Sequence, residues 1–477
     1  MKPLVVRSAI VASLGGLIFG FDTAVISGTT TSLEKVFQLD SAGLGFTVTT
    51  ALLGTIVGAL TAGQPADKYG RKKMLFIIGG LYLIGALGSA FAPVGAGAGH
   101  WFFMIARFLG GVGVGAASVV APIYTAEVAP PSNRGKLVGL VQFNIVLGIL
   151  LAYLSNYLIR LALPEDVATT SADHLVAWRW MFGVMAVPAA LFLLLLFTVP
   201  ETPRWLMSVG REAEAEEVSR RLASTDAESD QVMGEIRASL AAAENASSVP
   251  FFTKQHAKVI LLAVAIAMFN QLSGINAILY YAPVVMEKAG ASTNTAFLMS
   301  VGVGTMNLIA TMAALAVIDR FGRKKLMIVG SIGYIISLGF LSMIMFAYAG
   351  HYDAASSWYV LLGLMVFIAS HAFGQGAVIW VFISEIFPNR IRGRGQSLGS
   401  LTHWVFAAIT SFAFPPIVDL LGGGIAFLIF TLCMVGQLFW VLKVMPETKG
   451  IPLEEMEHKL GLTHDPNDVG GPKIVMH

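Results

Sequence analysis

The sequence predicts an all-α membrane protein in which twelve transmembrane helices form two six-helix bundles. Three observations predict it: an apolar composition, twelve apolar segments of spanning length, and motifs that recur in the two halves of the chain. The 477 residues are 56% hydrophobic and only 13% charged, whereas soluble domains carry about 25% charged residues. With a mean hydropathy of +0.73, most of the chain is expected to have lipid as its solvent.

The apolar segments have the length of a spanning helix, which needs roughly 20 mostly apolar residues. Six precede the only long charged stretch, 203–254, and six follow it. Its core, 211–224, is rich in helix formers, so we expect a cytoplasmic helical linker between the bundles. The predicted spans are 8–29, 43–65, 74–92, 101–124, 137–160, 177–199, 256–284, 296–318, 326–349, 358–386, 396–419 and 424–444. The predicted domains are 1–202 (first bundle), 203–254 (linker), 255–449 (second bundle) and 450–477 (cytoplasmic tail).

The basic residues of the loops predict the orientation of the spans. They cluster in alternate loops, whereas the loops near 95, 290, 353 and 422 hold only Lys288. Because loops rich in Lys and Arg stay in the cytoplasm, both termini and the linker are expected there, in a multi-pass protein of the plasma or inner cell membrane. The clusters consist of Lys68, Arg71, Lys72, Lys73, Arg134, Lys136, Arg320, Arg323, Lys324, Lys325, Arg390, Arg392 and Arg394.

Charge and motif content exclude several function classes. The net charge of +2 gives no indication of a nucleic-acid partner. The single cysteine, Cys433, excludes an intramolecular disulfide. The sequence has no metal-ligand spacing and no nucleophile triad. The glycine-rich Gly110–Gly115 lies inside a span, where close helix packing explains it better than a nucleotide loop. We therefore expect neither an enzyme nor a cofactor.

Motifs recur in the same order in the two halves, each time at an offset close to 250 residues. An even number of spans per half makes the repeats parallel, related by an axis along the membrane normal. That arrangement suits alternating access around a central site. The pairs are Asp67–Lys73 with Asp319–Lys325, Glu127 and Arg134 with Glu385 and Arg392, and the Pro-Glu-Thr of 200–202 with that of 446–448.

Several short motifs are specific when taken as a set. They are Gly-Arg-Lys-Lys at 70–73 and 322–325, Pro-Glu-Thr-Pro-Arg-Trp-Leu at 200–206, Gln-Leu-Ser-Gly-Ile-Asn at 271–276 and Pro-Glu-Thr-Lys-Gly at 446–450. With them, essentially the whole chain resembles the sugar porters of the major facilitator superfamily, above all bacterial xylose–proton symporters and glucose facilitators. The resemblance implies sugar transport by rocking of two six-helix bundles, and we expect a monomer.

Two charges lie deep in predicted spans of the first half. Asp22 stands in the first span and Arg107 in the fourth, and at 1.5 Å per residue both are ~10 Å from the same membrane surface. An unpaired carboxylate at that depth costs several kcal/mol, so the two are expected to pair. If the pair opens in one conformation, Asp22 takes up a proton and couples it to transport. The alternative is a polar residue that serves helix packing.

The same carboxylate distinguishes two transport modes. An acid at the position of Asp22 resembles the proton-coupled members of the family, whereas facilitators tend to have a neutral residue there. The sequence therefore favours a proton-coupled symporter over a facilitative uniporter. A sensor with transporter ancestry would tend to carry a long cytoplasmic tail, and the tail after about residue 460 is short and polar. The expected partners are a monosaccharide, protons and the lipid bilayer.

Neutral amides inside apolar spans suit sugar hydroxyls, because each offers two donors and two acceptor lone pairs. Their alternative use is interhelical hydrogen bonding. The resemblance favours the sugar site, adds Trp380 as a platform for the sugar ring, and adds Phe19, Tyr280 and Gly376 as lining residues. Gln271 and Asn276, five residues apart, converge only if the seventh span bends or unwinds, which Gly274 permits. The candidate amides are Gln142, Asn270, Gln271, Asn276 and Asn307.

Three positions depart from the family pattern. His371 stands where relatives often have an aromatic lining residue, and His403 stands where they have an amide that reaches the sugar. A histidine can still hydrogen-bond a hydroxyl, and it titrates near neutrality. Ile149 is apolar where the xylose symporters add an amide, which favours a hexose such as D-glucose and leaves D-xylose and D-galactose open. We assign Tyr281 and Trp404 to the core.

Charged residues recur at the cytoplasmic ends of both bundles. They can bridge when the inner side closes and separate when it opens. One exposed bridge is worth ~1 kcal/mol or less, but a network can bias a two-state equilibrium of a few kcal/mol. The alternative is a solvated surface that only sets the topology. The candidates for this inner gate are Asp67, Arg71, Glu127, Arg134, Asp319, Arg323, Glu385 and Arg392.

Overall fold

The structure is a computed structural model of the chain. It describes residues 2–130, 133–244, 250–388 and 390–451, together with 456, 460 and 462. No side chain is described for 242–244 or for Asp319, so this inner-gate candidate lies outside the described residues. Most of the predicted tail lies outside them as well.

Helices make up almost all of the described chain. They are α1 (Pro3–Val25), α2 (Thr30–Phe37), α3 (Ser41–Thr61), α4 (Gly63–Tyr69), α5 (Arg71–Ala90), α6 (Ala98–Val128), α7 (Arg134–Ala162), α8 (Ala177–Val184), α9 (Ala186–Leu196), α10 (Pro203–Ser208), α11 (Glu212–Leu222), α12 (Asp226–Glu244), α13 (Ala257–Leu272), α14 (Ile275–Lys288), α15 (Thr293–Phe321), α16 (Arg323–Ala347), α17 (Ala354–His371), α18 (Ala377–Ile386), α19 (Arg392–Leu421) and α20 (Gly423–Lys443).

Twelve helices, or pairs of consecutive helices, in the described part of the chain are long and apolar enough to cross a membrane. Each overlaps one predicted span, so the all-α class with twelve spans is confirmed. The observed helices extend beyond several predicted spans at the charged end, as in Arg134–Ala162 against the predicted 137–160. A span predicted from hydropathy ends at the first charged residue, whereas the helix itself continues until a glycine or proline interrupts it.

The seventh and tenth spans are broken helices. In the seventh, α13 ends at Leu272 and α14 starts at Ile275, with Gly274 in the left-handed conformation at φ +83°. The predicted break at this glycine is therefore confirmed. A Cβ at Gly274 would also lie 2.5 Å from the ring of Phe430. In the tenth span, a π-helical turn, Ala372–Gly376, separates α17 from α18.

The helical linker lies against one end of the first six spans. Lys2 Nζ donates to the carbonyl oxygen of Arg220 at 2.7 Å, and Trp205 Nε1 donates to that of Asp67 at 2.8 Å. Because the spans alternate in direction, the loops with the repeated Gly-Arg-Lys-Lys motifs lie at the same end. We call this end the basic face and the opposite end the distal face.

Within each half, the helices approach closely enough for their backbones to touch. Helix α1 packs along α7 and α6, and α3 along α6. A Cβ at Gly148 of α7 would lie 2.0 Å from the carbonyl oxygen of Leu17 in α1, and one at Gly54 of α3 would lie 2.1 Å from that of Phe108 in α6. Glycines therefore permit the tight packing that stabilises helix association in lipid.

The two halves meet along two seams, α3 against α19 and α7 against α15. All hydrogen bonds between described residues of the two halves lie in the distal half of the spans that contribute them, which include the seventh span (α14) as well as α3, α7 and α19. The space between the halves is therefore closed at the distal face and widens toward the basic face. These bonds join Ser41 to Asp419, Thr49 to Ala408 and Tyr153 to Leu279.

Gly45 makes the closest backbone approach on the first seam. A Cβ there would lie 2.4 Å from the carbonyl oxygen of Phe412. We expect Gly45→Leu to hold the seam open, because overpacking costs about 1–3 kcal/mol, enough to raise the distal-open population about fivefold or more. The measurement is labelling of Thr49→Cys, in a Cys433→Ser background, by an impermeant maleimide on the distal side.

The matched control is Gly63→Leu in α4, where a Cβ would meet no atom within 4 Å. It is expected to leave labelling at Thr49→Cys unchanged. Equal labelling rates with leucine at either glycine would contradict the assignment of Gly45 to the closed seam.

Candidate functional site

An ion pair is buried in the first half, between α1 and α6. The Arg107 guanidinium lies 2.5 Å (Nη1–Oδ1) and 3.2 Å (Nη2–Oδ2) from the Asp22 carboxylate. Asp22 is 3% exposed and Arg107 is 2% exposed. The guanidinium also lies over the ring of Phe182, 5.2 Å from its centroid. Removing either charge would leave the other buried without a partner, at a cost of several kcal/mol, so the two are strongly coupled.

A group of amides surrounds the break in the seventh span. Gln271 Nε2 donates to Asn270 Oδ1 at 3.0 Å and lies 3.2 Å from His403 Nε2. Gln271 Oε1 and Asn276 Nδ2 are buried and have no hydrogen-bond partner among the described residues. Leaving a buried polar group unpaired costs about 1–3 kcal/mol. One unpaired acceptor and one unpaired donor are therefore available to a ligand with hydroxyl groups.

Aromatic rings adjoin the amides. The ring of His403 contacts two indoles. Its centroid lies 5.3 Å from that of Trp380 and 4.8 Å from that of Trp404. Trp404 also contacts Phe19 of the first half, with 5.8 Å between the ring centroids. Trp380 is 37% exposed. Its indole can therefore present a flat apolar surface to a ligand that also bonds the amides.

A small cavity connects the ion pair with these rings. Asp22 and Arg107 line it from the first half, as does Phe19, while Tyr280 and Trp404 line it from the second half. The ion pair and the aromatic residues thus face one space between the halves.

The remaining candidates are less closely connected to this group. Gln142 is partly exposed and makes no hydrogen bond to a described residue. Asn307 is buried, and its Oδ1 accepts from Thr311 at 3.4 Å. His371 Nδ1 lies 2.6 Å from Tyr334 Oη, and Gly376 packs against the same imidazole at the end of the π-helical turn.

At the basic face, each half contains the same carboxylate–arginine–threonine contact. In the first half, Glu127 lies 3.1 Å from Arg71 Nε and accepts from Thr202 Oγ1 at 2.6 Å. In the second, Glu385 lies 2.8 Å from Arg323 Nη2 and accepts from Thr448 Oγ1 at 2.6 Å. Asp67 also lies 3.0 Å from Arg71.

These ion pairs lie within one half each, and no ion pair between described residues joins the two halves. Arg134 instead donates to the carbonyl oxygen of Ala126 at 3.2 Å. Arg392 Nε and Nη2 have no partner among the described residues. Because the halves are apart at this face, the bridges expected between them when it closes stay a prediction.

The repeated Pro-Glu-Thr motifs cap two helices at the basic face. Glu201 accepts from the backbone N–H of Lys72 at 3.0 Å, in the first turn of α5, and Glu447 accepts from that of Arg323 at 2.9 Å, in α16. Gly70 and Gly322 precede these helices with φ of +101° and +88°. A Cβ at either glycine would also lie within 3 Å of the capping carboxylate. The positive φ and the close approach of the carboxylate therefore both require glycine.

The two capping carboxylates differ in their electrostatics. Burial raises the pKa of Glu201 above its usual value, although backbone hydrogen bonds oppose the shift. Burial acts in the same direction on Glu447, but hydrogen bonds from four backbone N–H groups outweigh it and lower its pKa. At neutral pH the ionised cap is therefore more favourable in the second half.

The chain matches the family model described as "Sugar (and other) transporter" over residues 8–460. The chain belongs to this family. The D-xylose-proton symporter of Escherichia coli (strain K12) is 38% identical over 482 residues, covering 94% of each chain. The glucose transport protein of Synechocystis is 35% identical and covers 94% of this chain and 95% of its own. This is therefore a multi-pass membrane transporter of the sugar porter family, and its relatives are not enzymes.

Solved structures of the xylose transporter XylE from Escherichia coli share the fold. The partially occluded inward-open conformation gives a TM-score of 0.82 at 36% identity, covering 94% of this chain and all of that one. The proton:xylose symporter bound to 6-bromo-6-deoxy-D-glucose gives 0.75 at 36% identity, covering 96% and 99%. The major facilitator fold is therefore confirmed, with the higher TM-score for the inward-open structure.

The sequence did not indicate two features of this transporter. Trp404, assigned to the core, is only 6% exposed but also contacts both Phe19 and His403 between the halves. Gln375 Nε2 donates to Gln437 Oε1, and Gln437 Nε2 donates to Ser331 Oγ, both at 2.8 Å. The signal for this chain of amides was the presence of glutamines in apolar spans, but the same signal marks binding sites and packing alike.

Replacing Asn276 tests the amide group. We expect Asn276→Leu to weaken sugar binding about fivefold to tenfold, because one hydrogen bond to a hydroxyl is lost. The measurement is calorimetric titration of the purified protein with D-glucose and with D-xylose. Asn156→Leu is the matched control, since Asn156 is also buried but donates to the carbonyl oxygen of Val25. It should lower stability and leave affinity unchanged; equal losses of affinity in both variants would contradict the site.

The pKa of Glu447 predicts a pH-dependent stability. The pKa of Glu447 is lower in the folded protein than the 4.5 of the unfolded chain. Its carboxylate therefore stabilises the fold at pH values above 4.5, and this stabilisation is lost as the pH falls through the pKa of the folded state. We expect Glu447→Gln to lower the thermal unfolding midpoint by about 2 °C at pH 7, with a difference that shrinks below pH 4.5. Differential scanning fluorimetry across pH measures it.

Glu201→Gln is the matched variant in the first half. Because burial raises the pKa of Glu201, its carboxylate is less favourable in the folded protein than in water, so this variant should cost less at pH 7 than Glu447→Gln. The same loss with the same pH profile in both variants would contradict the asymmetry.

Proposed function

We propose that this transporter is a proton-coupled symporter that imports a monosaccharide by alternating access. The buried Asp22–Arg107 pair carries the proposal, since it places a titratable carboxylate beside a fixed cation inside the membrane. Two partners compete for that carboxylate, the guanidinium and a proton. The name of the D-xylose-proton symporter relative supports proton coupling.

The orientation follows from the loop charges. We place the basic face, the termini and the linker in the cytoplasm, because lysine and arginine concentrate at that end. The distal face is then extracellular or periplasmic, in the plasma or inner cell membrane. In this orientation the space between the halves is open to the cytoplasm, and the protein acts as a monomer.

The ion pair and the distal seam together define a stage of the transport cycle. With the distal face closed, Arg107 occupies both oxygens of Asp22, so this is the stage after the proton has left. When the distal face opens, α1 and α6 shift relative to each other, the pair separates and Asp22 binds a proton from outside. Sugar then binds the amides, the distal face closes, and the return of Arg107 displaces the proton toward the cytoplasm.

The substrate we propose is a hexose such as D-glucose, with D-xylose and D-galactose as further substrates. Gln271 and Asn276 offer an acceptor and a donor to ring hydroxyls, and Trp380 offers an apolar surface to the ring. His403 bonds the same glutamine and replaces an amide of the family pattern. Ile149 is buried and apolar, which leaves fewer polar partners than a site selective for xylose would have.

Replacing Asp22 tests proton coupling. In proteoliposomes without a membrane potential, wild-type protein should acidify the lumen when sugar is added outside. Asp22→Asn cannot exchange a proton, so it should abolish this acidification and leave sugar counterflow within about threefold of wild type, because exchange needs no net proton movement. A panel of D-glucose, D-galactose, D-xylose and L-arabinose reports the substrate in the same assay.

The control is Glu217→Gln, which removes an exposed carboxylate of α11 whose side chain is 70% exposed. It should transport and acidify as wild type does. Concentrative uptake that persists in Asp22→Asn would overturn proton coupling at this residue. Sugar flux without any lumenal acidification in wild type would instead favour the facilitative uniporter.

A further inference from the structure

A second cavity, which we call the distal cavity, lies between the halves at the closed distal face. Its volume is about 110 Å³, and both halves contribute to it. Glu34, Ser41 and Leu44 come from α2 and α3 of the first half, and the rest of the lining comes from the second half. The amides and Trp380 of the proposed sugar site do not line it, so the distal cavity is a separate space.

The walls of the distal cavity are mostly apolar. Phe414 and Val418 of α19 face it together with Val285 of α14 and Phe427 of α20. An apolar cavity of about 150 Å³ can hold benzene, so a partly open one of this size fits a single ring or a short alkyl chain. A sugar would lose hydrogen bonds to water against these walls without replacing them.

Charged groups from both halves line the same cavity. Glu34 comes from the first half, and Asp419 and Lys288 come from the second. Asp419 accepts a hydrogen bond from Ser41 at 3.1 Å, across the seam. The carboxylate of Glu34 accepts no hydrogen bond from a described residue. Two carboxylates against one ammonium leave the lining with a net negative charge, which complements a cation.

The surroundings of Glu34 disfavour its ionised form. Burial raises the pKa of Glu34, Asp419 raises it further, and Lys288 opposes the shift. Besides Lys288 and Asp419, the other acidic and basic residues on α2 and on the elements packed against it are Lys35, Asp40, Asp173, His174 and Glu287. Lys35 bonds the carbonyl oxygens of Val167 and Ala168, Asp40 caps α3 at Gly43, and His174 bonds Ser171. A cation beside Glu34 would supply the compensating charge that these groups do not.

We propose that the distal cavity is an accessory binding site for a small apolar molecule with a primary ammonium head. The ammonium lies between Glu34 and Asp419, and the apolar body packs against Phe414 and Val418. Because both halves form this site, it exists only while the distal face is closed. A ligand that binds one conformation stabilises it by mass action, so occupancy arrests the transporter with the basic face open.

Benzylamine is a suitable probe, with benzyl alcohol as its neutral analogue of the same shape. Binding is measured by calorimetry on the purified full-length protein in lipid nanodiscs, without any gradient. We expect benzylamine to bind about tenfold more tightly than benzyl alcohol, because the ammonium makes charge-assisted hydrogen bonds. Glu34→Gln should weaken benzylamine about fivefold to tenfold and leave benzyl alcohol unchanged.

Two further variants separate binding in the distal cavity from binding elsewhere. Val418→Phe fills the cavity and should abolish binding of both compounds. Gly45→Leu, which holds the distal face open, should weaken both as well. Lowering the pH should weaken benzylamine selectively, because protonation of Glu34 removes the charge that holds the ammonium.

Transport gives a second readout. Benzylamine should lower the maximal rate of sugar counterflow without changing the half-saturating sugar concentration, because it binds away from the amides. Equal binding of benzylamine to wild type, Glu34→Gln and Val418→Phe would overturn the proposal. Equal affinity of wild type for benzylamine and benzyl alcohol, or competition with sugar, would do the same. None of these outcomes depends on proton coupling, so the two proposals fail independently.

Discussion

Close contact between helix backbones is the constraint on which this structure depends. Lipid is as apolar as the side chains that helices bury, so helices associate in a membrane through tight packing and hydrogen bonds. Gly148 and Gly54 allow such contact inside the first half, where α1, α3, α6 and α7 pack against one another. The same kind of contact recurs between the halves at Gly45, but only in the distal part of the seams. Each half is therefore tightly packed, while the junction between them can open.

The two proposed activities are divided between these halves. The ion pair lies on α1 and α6 of the first half, whereas the unpaired amides, Trp380 and His403 lie in the second. Few groups connect them: the ring of Phe19 meets Trp404, and Tyr280 lines the same small cavity as Asp22. Any coupling between sugar and proton must pass through this junction, because a ligand shifts a conformational equilibrium only through its differential affinity for the two states.

Much of this architecture could be predicted because each membrane span appears in the sequence as an apolar segment of nearly fixed length. Composition and segment length predicted the twelve spans, and counting residues from the membrane surface placed Asp22 and Arg107 at the same depth. The break at Gly274 followed from the spacing of two amides. The partners at the basic face could not be predicted this way. Repeated acids and arginines indicate that pairs exist, but only packing shows that Glu127 bonds Arg71 in its own half. Trp404 is buried as predicted, but its contact with Phe19 of the other half could not be predicted, since burial between two halves and burial in a core have the same sequence pattern.

The capping carboxylates show what the two sequence repeats have in common. Glu201 and Glu447 occupy the same place in the two repeats, and both accept from the backbone N–H of the second residue of the helix that they cap, Lys72 in α5 and Lys324 in α16. The ends of the bundles therefore share a design. The interiors differ, because the first repeat contains the buried Asp22–Arg107 pair and the second contains the unpaired amides and the rings of Trp380 and His403. If the proposed division holds, exchanging the interior of the second repeat would change the transported solute and leave the Asp22–Arg107 pair of the first repeat intact.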